Sequence, residues 1–133
     1  MSYKDIWDRL YTEINDIPKL NTRTWNYEKT NIDTFPNAII YPTTWDQQGY
    51  DSNSFQTIYN FNVRITEQNK NRQVMEDRIR ILIDQVLEKL RKIEQDCSLY
   101  KIKTNILFWY EDTEQPKRAV DINISATALN KIN

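Results

Sequence analysis

The sequence predicts an α+β fold, in which a mainly antiparallel sheet of about four to five strands carries two helices on one face. Residues 71–95 place apolar side chains at spacings of three and four, which is the period of a buried helix face. Residues 55–65 and 119–128 alternate apolar and polar side chains, which is the pattern of half-buried strands. The 133 residues contain no internal repeat and no linker, so the whole chain, 1–133, is predicted to be a single domain.

The first predicted element is an amphipathic helix over residues 2–16. Ser2 can cap its first turn, and an apolar stripe runs from Ile6 to Ile14 at helical spacing. Pro18 ends the helix, because the residue before a proline is pushed out of the helical region. We expect this N-terminal helix to pack on the sheet.

Two strands and a polar segment are predicted before the clearest strand. Residues 22–28 can form an extended strand, and the apolar run 38–41 predicts a second strand that Pro42 stops. Residues 43–53 are mostly polar and contain the single glycine, Gly49. They predict an exposed arm, which is either a long hairpin connection or two strands that run out past the body of the sheet.

The clearest strand, 55–65, is followed by a polar turn at 67–71 and then by the long central helix. No Gly or Pro interrupts that helix, and a wide apolar stripe marks the face that it must bury. The predicted core residues on this stripe are Met75, Ile79, Leu82, Val86 and Leu90.

After the central helix, residues 101–110 and 119–128 predict an antiparallel hairpin around an acidic turn. Leu107 and Trp109 make the end of its first strand apolar on both faces. In its second strand the alternation places Asp121 on the outward face.

The composition argues against most catalytic classes. The chain has no histidine, which is the usual general base, metal ligand and triad member. The single cysteine, Cys97, excludes an internal disulfide and lacks a histidine to activate it. One glycine excludes a glycine-rich phosphate loop. Neighbouring acids such as Glu111 and Asp112 are far more often solvated than catalytic. We therefore expect a binding protein that is not an enzyme and that uses no metal and no cofactor.

Charge and hydropathy restrict the partners. The net charge of −1 indicates no general attraction to nucleic acid or to an anionic membrane. No apolar stretch approaches the ~20 residues that a membrane helix needs, and the N-terminus lacks the apolar run of a signal peptide. Four cations of the closing hairpin could lie near one another: Lys101, Lys103, Lys117 and Arg118. Acidic residues are interspersed among them. We expect a soluble cytoplasmic product.

Exposed aromatic and polar segments predict protein contacts. The chain has four Trp and eight Tyr, residue types that are enriched in the cores of interfaces, and its sheet edges can pair with another chain. The candidate interface residues lie in the arm, in the turn at 67–71 and in the closing hairpin: Trp45, Gln48, Tyr50, Asp51, Gln68, Asn69, Trp109, Glu111 and Asp112.

The order of these elements resembles the tail terminator family of tailed bacteriophages, also called tail-completion or minor tail proteins. The matching pieces are the N-terminal helix, the strand around 35–42 with its polar arm, the alternating strand 55–65, the long helix and the closing hairpin. Together they span essentially the whole chain. Related neck proteins of the phage head–tail junction look similar.

The resemblance implies a homo-oligomeric ring, commonly a hexamer, that caps the finished tail tube, stops its polymerisation and joins it to the head connector. It also implies that DNA passes through the lumen without specific binding, and that the protein resides in the virion after assembly in the host cytoplasm. One alternative is a head–tail stopper or adaptor, or another small non-catalytic protein-binding domain that acts as a monomer or dimer. A second, a small histidine-free enzyme, would require a pocket with a convergent carboxylate pair.

Overall fold

The computed structural model describes residues 3–24, 35–51, 54–96, 101–111 and 116–131. The elements follow in the order α1 (Tyr3–Asn15), β1 (Asn21–Thr24), β2 (Asn37–Asp51), β3 (Ser54–Gln68), α2 (Arg72–Asp96), β4 (Lys101–Glu111) and β5 (Lys117–Lys131). The predicted α+β fold is confirmed, and both helices begin and end within one residue of the predicted bounds.

The described strands form one sheet in the order β1-β2-β3-β5-β4. β2, β3, β5 and β4 pair antiparallel, which confirms the mainly antiparallel sheet, whereas the short β1 pairs parallel with the start of β2. Of the predicted strand 22–28, residues 25–28 lie outside the described residues. After α2 the chain forms the closing hairpin of β4 and β5. In this hairpin β5 pairs with β3, so β4 is the outermost described strand on that side of the sheet.

The hydrophobic core lies between the two helices and one face of the sheet, called here the helix-bearing face. Alternate residues of β3 and β5 point into it, among them Phe61, Val63 and Ile122, while α1 contributes Ile6 and Leu10. The five predicted core residues of α2 are all buried: Met75, Ile79, Leu82, Val86 and Leu90. Burial of each such side chain contributes roughly 1.5–3 kcal/mol, so α2 fixes the sheet through its apolar stripe. The opposite side of the sheet is called the open face, because no described helix packs on it.

Pro42 does not stop β2, contrary to the prediction. The strand continues to Asp51 and stays paired with β3 as far as the Asp51–Ser54 pair. A register shift between Pro42 and Thr44 accommodates the proline, as a bulge does. The segment 43–53 is therefore mainly strand and not a long connection, but it does not run out past the body of the sheet, because β5 stays paired with β3 as far as Ser54.

The same register shift changes the face to which β2 side chains point. Ile40 pairs with Val63 before the shift, and Trp45 pairs with Tyr59 after it, so an even and an odd residue of β2 share the helix-bearing face.

No helix in the described part of the chain is long and apolar enough to cross a membrane.

Candidate interaction surface

β4 is the outermost strand on its side of the sheet, so its outer row of backbone N–H and C=O groups points away from the described strands. Three consecutive large apolar side chains on it are half exposed: Leu107 at 49%, Phe108 at 55% and Trp109 at 51%. We call these three residues, with the outer backbone of β4, the β4 edge. Open hydrogen-bonding groups beside exposed apolar side chains make such an edge a site for pairing with another chain.

Successive residues of the β4 edge point to opposite faces of the sheet. Phe108 pairs with the buried Val120 and therefore lies on the helix-bearing face, whereas Leu107 pairs with Asp121 on the open face, the face that Trp109 shares. A partner that pairs with this strand can therefore contact apolar side chains on both faces at once.

Asp121 organises the open face beside the β4 edge. Its carboxylate accepts hydrogen bonds from Arg64 Nε at 2.8 Å and Nη2 at 3.0 Å, and from the Trp109 indole Nε1 at 3.1 Å. Asn62 Nδ2 donates to it at 3.2 Å and to the Tyr41 hydroxyl at 2.7 Å. Asp121 lies on the outward face, as predicted, but it is only 6% exposed because these donors surround it. The network joins β2, β3, β5 and β4.

The charge state of Asp121 follows from these contacts. Burial alone would raise the pKa of its carboxyl, but the hydrogen bonds from Arg64, Asn62 and Trp109 outweigh burial and hold the pKa below its usual range. The group is therefore a carboxylate at neutral pH. It accepts the indole N–H and thereby fixes the orientation of a tryptophan whose ring remains half exposed.

Each of the two aromatic rings of the β4 edge contacts one arginine, and the two contacts lie on opposite faces of the sheet. On the open face, the Arg64 guanidinium carbon lies 4.8 Å from the centroid of the Trp109 ring. On the helix-bearing face, Arg118 lies 5.2 Å from the centroid of Phe108 and forms an ion pair with Glu76 of α2 at 3.0 Å. These distances are those of cation–π contacts, so both rings are ordered before any partner binds.

The predicted interface residues of β2 lie toward the end of the sheet formed by the β2–β3 hairpin. The Trp45 side chain is 58% exposed, and its ring meets Tyr59 edge-on with 6.0 Å between centroids. Gln48, Tyr50 and Asp51 follow on the same strand, and their side chains lie outside the described part of the structure.

The other predicted interface residues lie toward the opposite end of the sheet. Gln68 and Glu111 both pair with Lys117, and the Asn69 N–H donates to the Pro116 carbonyl at 3.3 Å. The structure therefore brings the turn after β3 and the β4–β5 hairpin together. The predicted residue Asp112 lies outside the described residues, and Trp109 belongs to the β4 edge near this end.

The four cations of the closing hairpin lie in two groups at opposite ends of β4 and do not form one basic patch, in agreement with the interspersed acids of the sequence. Lys101 and Lys103 are exposed at the start of β4, whereas Lys117 pairs with Glu111 at its end and Arg118 points toward α2. The antiparallel register, which pairs Lys101 with Thr127, separates the two groups by the length of the strand.

No group of three or more Cys, Asp or Glu side chains in the described ranges could hold a metal ion. A groove of about 530 Å³ lies beside α2 and the start of β2. The described residues that line it include Phe35, Pro36, Arg78 and Ile81, and none of them is a carboxylate. This groove offers apolar contact and positive charge.

Sequence reasoning missed Arg64 and Asp121 as parts of the surface. Alternation places each on the outward side of its strand, but only the register pairs them across β3 and β5. The run Leu107-Phe108-Trp109 was a usable signal, because three large apolar residues in succession cannot all face one core.

No protein-family model matches the chain, and no curated protein matches it either.

Proposed function

We propose that this chain is a non-catalytic structural subunit of a tailed-phage neck, which forms a ring that caps the tail tube, ends its polymerisation and joins it to the head connector. The single observation that carries the proposal is the β4 edge, an outermost strand with three consecutive exposed apolar side chains. Such an edge favours association with another protein chain. The order of elements along the chain, which resembles tail terminators, supports the more specific role.

A ring requires a contact between unlike surfaces of neighbouring copies. Each copy then uses its β4 edge on one neighbour and a different surface on the other. A single contact of this kind can be weak, because closure of the ring multiplies its effect. The ordered rings of Trp109 and Phe108 suit such a contact, since little side-chain freedom is lost when they are buried.

A cap must also present two different surfaces along the tail axis, one to the tube and one to the head connector. The sheet has two chemically distinct ends. One carries the β2–β3 hairpin with Trp45 and Asp51, and the other carries Gln68, Asn69 and the β4–β5 hairpin. Because the two ends are not equivalent, a ring that matches the tube at one end offers the next tube ring no matching surface, and growth stops.

Deletion of the gene tests the proposal. We expect the deletion phage to produce overlong or head-free tails, with normal length and joining restored when the wild-type gene is supplied in trans. Negative-stain electron microscopy measures tail length and the fraction of tails joined to heads. Normal joined particles from the deletion phage would show that the protein has another role.

A further inference from the structure

We infer that the free chain, before it joins any larger assembly, pairs its β4 edge antiparallel with the β4 edge of a second copy, across a two-fold axis that passes through Leu107. The pairing joins two five-stranded sheets into one, with β4 beside β4 at its centre. The inference goes beyond the proposed ring, because it concerns the free chain and requires no phage partner.

The backbone of β4 determines which of its residues can pair outward. The Ile102 N–H donates to the Glu94 carboxylate of α2 at 2.7 Å, so it does not point toward β5. Successive residues of a strand turn their N–H and C=O groups to alternate sides, so the even-numbered residues of β4 point outward. Among the described strands only β5 pairs with β4, and the outward groups of Thr104–Tyr110 are therefore open to another chain.

The contact of Glu94 also sets the register. Because Glu94 occupies the outer N–H at Ile102, the edge that remains for a partner runs from Lys103 to Glu111, where the strand ends. An antiparallel pairing of this stretch with its own copy is symmetric about the middle residue, which is Leu107. No other centre lets the whole stretch pair.

This register satisfies the hydrogen-bonding pattern of an antiparallel sheet. It places Thr104 opposite Tyr110 and Ile106 opposite Phe108, and all four are outward-pointing residues. Leu107 is odd-numbered, so the two copies of this leucine form a non-hydrogen-bonded pair, whose Cα atoms lie about 4.5 Å apart. Directly paired residues share a face, so the helix-bearing faces of the two copies lie on the same side.

The register also buries the exposed apolar side chains. On the open face the half-exposed Leu107 meets Leu107 of the second copy. On the helix-bearing face the half-exposed Phe108 meets the partly buried Ile106 of the second copy, and the two-fold axis repeats this contact. Trp109 lies opposite the exposed, uncharged Asn105. No exposed apolar residue of the edge is placed against a charge.

The charges of β4 favour the antiparallel pairing over a parallel one. The strand carries two lysines at its start, Lys101 and Lys103, and its single acid, Glu111, at its end. The antiparallel register places the exposed Lys103 of each copy opposite Glu111 of the other. Opposite charges at directly paired positions stabilise strand pairs, whereas a parallel pairing would set lysine beside lysine. Charge complementarity therefore identifies a second copy as the partner.

A two-fold contact closes at two copies and leaves no β4 edge free. A copy in the dimer cannot contribute that edge to the proposed ring, so the dimer must separate before a ring that uses the β4 edge can form. The dimer also covers an edge strand that would otherwise favour aggregation.

A cysteine on the two-fold axis tests the pairing directly. Cys97→Ser removes the single native cysteine and provides the background. In it, Leu107→Cys sets two thiols opposite each other, and the Cα separation of about 4.5 Å lies within the range of a disulfide. Mild oxidation should convert this variant to a cross-linked dimer on a non-reducing gel.

The matched control is Asn105→Cys in the same background. Residue 105 is exposed and lies on the same strand and face as Leu107. In the proposed register, however, the two copies of this residue are offset by four positions, about 14 Å along the strand, which is too far for a disulfide. This variant should stay uncross-linked.

Charge reversal tests the register without a cross-link. Lys103→Glu and Glu111→Lys each place like charges opposite each other twice in the dimer, so each should raise the dissociation constant measured by light scattering about tenfold. The double variant Lys103→Glu/Glu111→Lys restores both pairs and should dimerise like the wild type, as should an equimolar mixture of the two single variants. Lys70→Glu, at an exposed position outside β4, is the control and should dimerise normally.

Circular dichroism confirms that each variant is folded. A wild-type chain that stays monomeric over the concentration series, or equal cross-linking of the two cysteine variants, would overturn the pairing. So would a dimer that is unaffected by both charge reversals. The deletion phage tests the ring separately: dimerisation together with normal joined particles would overturn the ring and leave the pairing, whereas a monomeric chain together with overlong tails would overturn the pairing and leave the ring.

Discussion

Asp121 is the residue on which the order of the open face depends. Its substitution by Asn keeps the shape but removes the charge that accepts from Arg64 and Trp109. Hydrogen bonds to a charged group contribute about 1.5–3 kcal/mol, and Arg64 is partly exposed, so we expect Asp121→Asn to lower the free energy of unfolding at neutral pH by about 1–3 kcal/mol. Chemical denaturation measures the loss, and an unchanged midpoint would contradict the assignment.

The pH dependence of that loss has a defined sign. The pKa of Asp121 is lowered in the folded protein, so its charged form contributes stability above the pKa of the unfolded chain, and that stability is lost as pH falls through the folded pKa. The difference between wild type and Asp121→Asn should therefore shrink on acidification.

Glu67 of β3 provides the control with the opposite sign. Burial raises the pKa of Glu67, so the folded state favours its protonated form, and stability falls as pH rises between the ordinary and the raised pKa. Glu67→Gln should therefore become more stable relative to the wild type as pH rises through that window. Parallel curves for both variants would show that neither carboxyl controls the pH dependence.

At the scale of the element, α2 is the scaffold of the fold. Ile79 is fully buried in its apolar stripe, and an unpaired charge placed there costs several kcal/mol, a large part of the stability of a small domain. We expect Ile79→Asp to abolish the cooperative thermal unfolding transition seen by circular dichroism. The matched control is Ile81→Asp on the same helix, where the side chain is 57% exposed and the variant should stay folded. A wild-type melting temperature for Ile79→Asp would exclude the scaffold role.

Elements differ in how well their sequence predicts them. The bounds of α2 were predicted to within one residue, because a 3.6-residue period sustained over seven turns has no other structural interpretation. The extent of β2 was not predicted, because the local rule that proline ends a strand was overridden by long-range pairing with β3 and a register shift at Pro42.

At the scale of the whole molecule, the order of strands in the sheet could not be predicted from the sequence. Alternation tells which residues share a face of one strand, but it does not tell which strands are neighbours. Arg64 and Asp121 are 57 positions apart and meet only because β5 lies beside β3. The same order places β4 at the edge, which turns a strand that is apolar on both faces into a candidate surface for assembly.

The proposed assembly makes Trp45 important for the ring and dispensable for the subunit. Its side chain is 58% exposed, and its edge-on contact with Tyr59 contributes about 1 kcal/mol, so Trp45→Ala should retain a cooperative thermal transition. A buried tryptophan at the centre of an interface typically contributes about 2 kcal/mol or more, so the same variant should weaken or abolish assembly. Light scattering and thermal unfolding separate the two effects. Ile81→Ala removes an equally exposed apolar side chain from α2 and should still assemble. A folded Trp45→Ala protein that assembles like the wild type would exclude this residue from the contact.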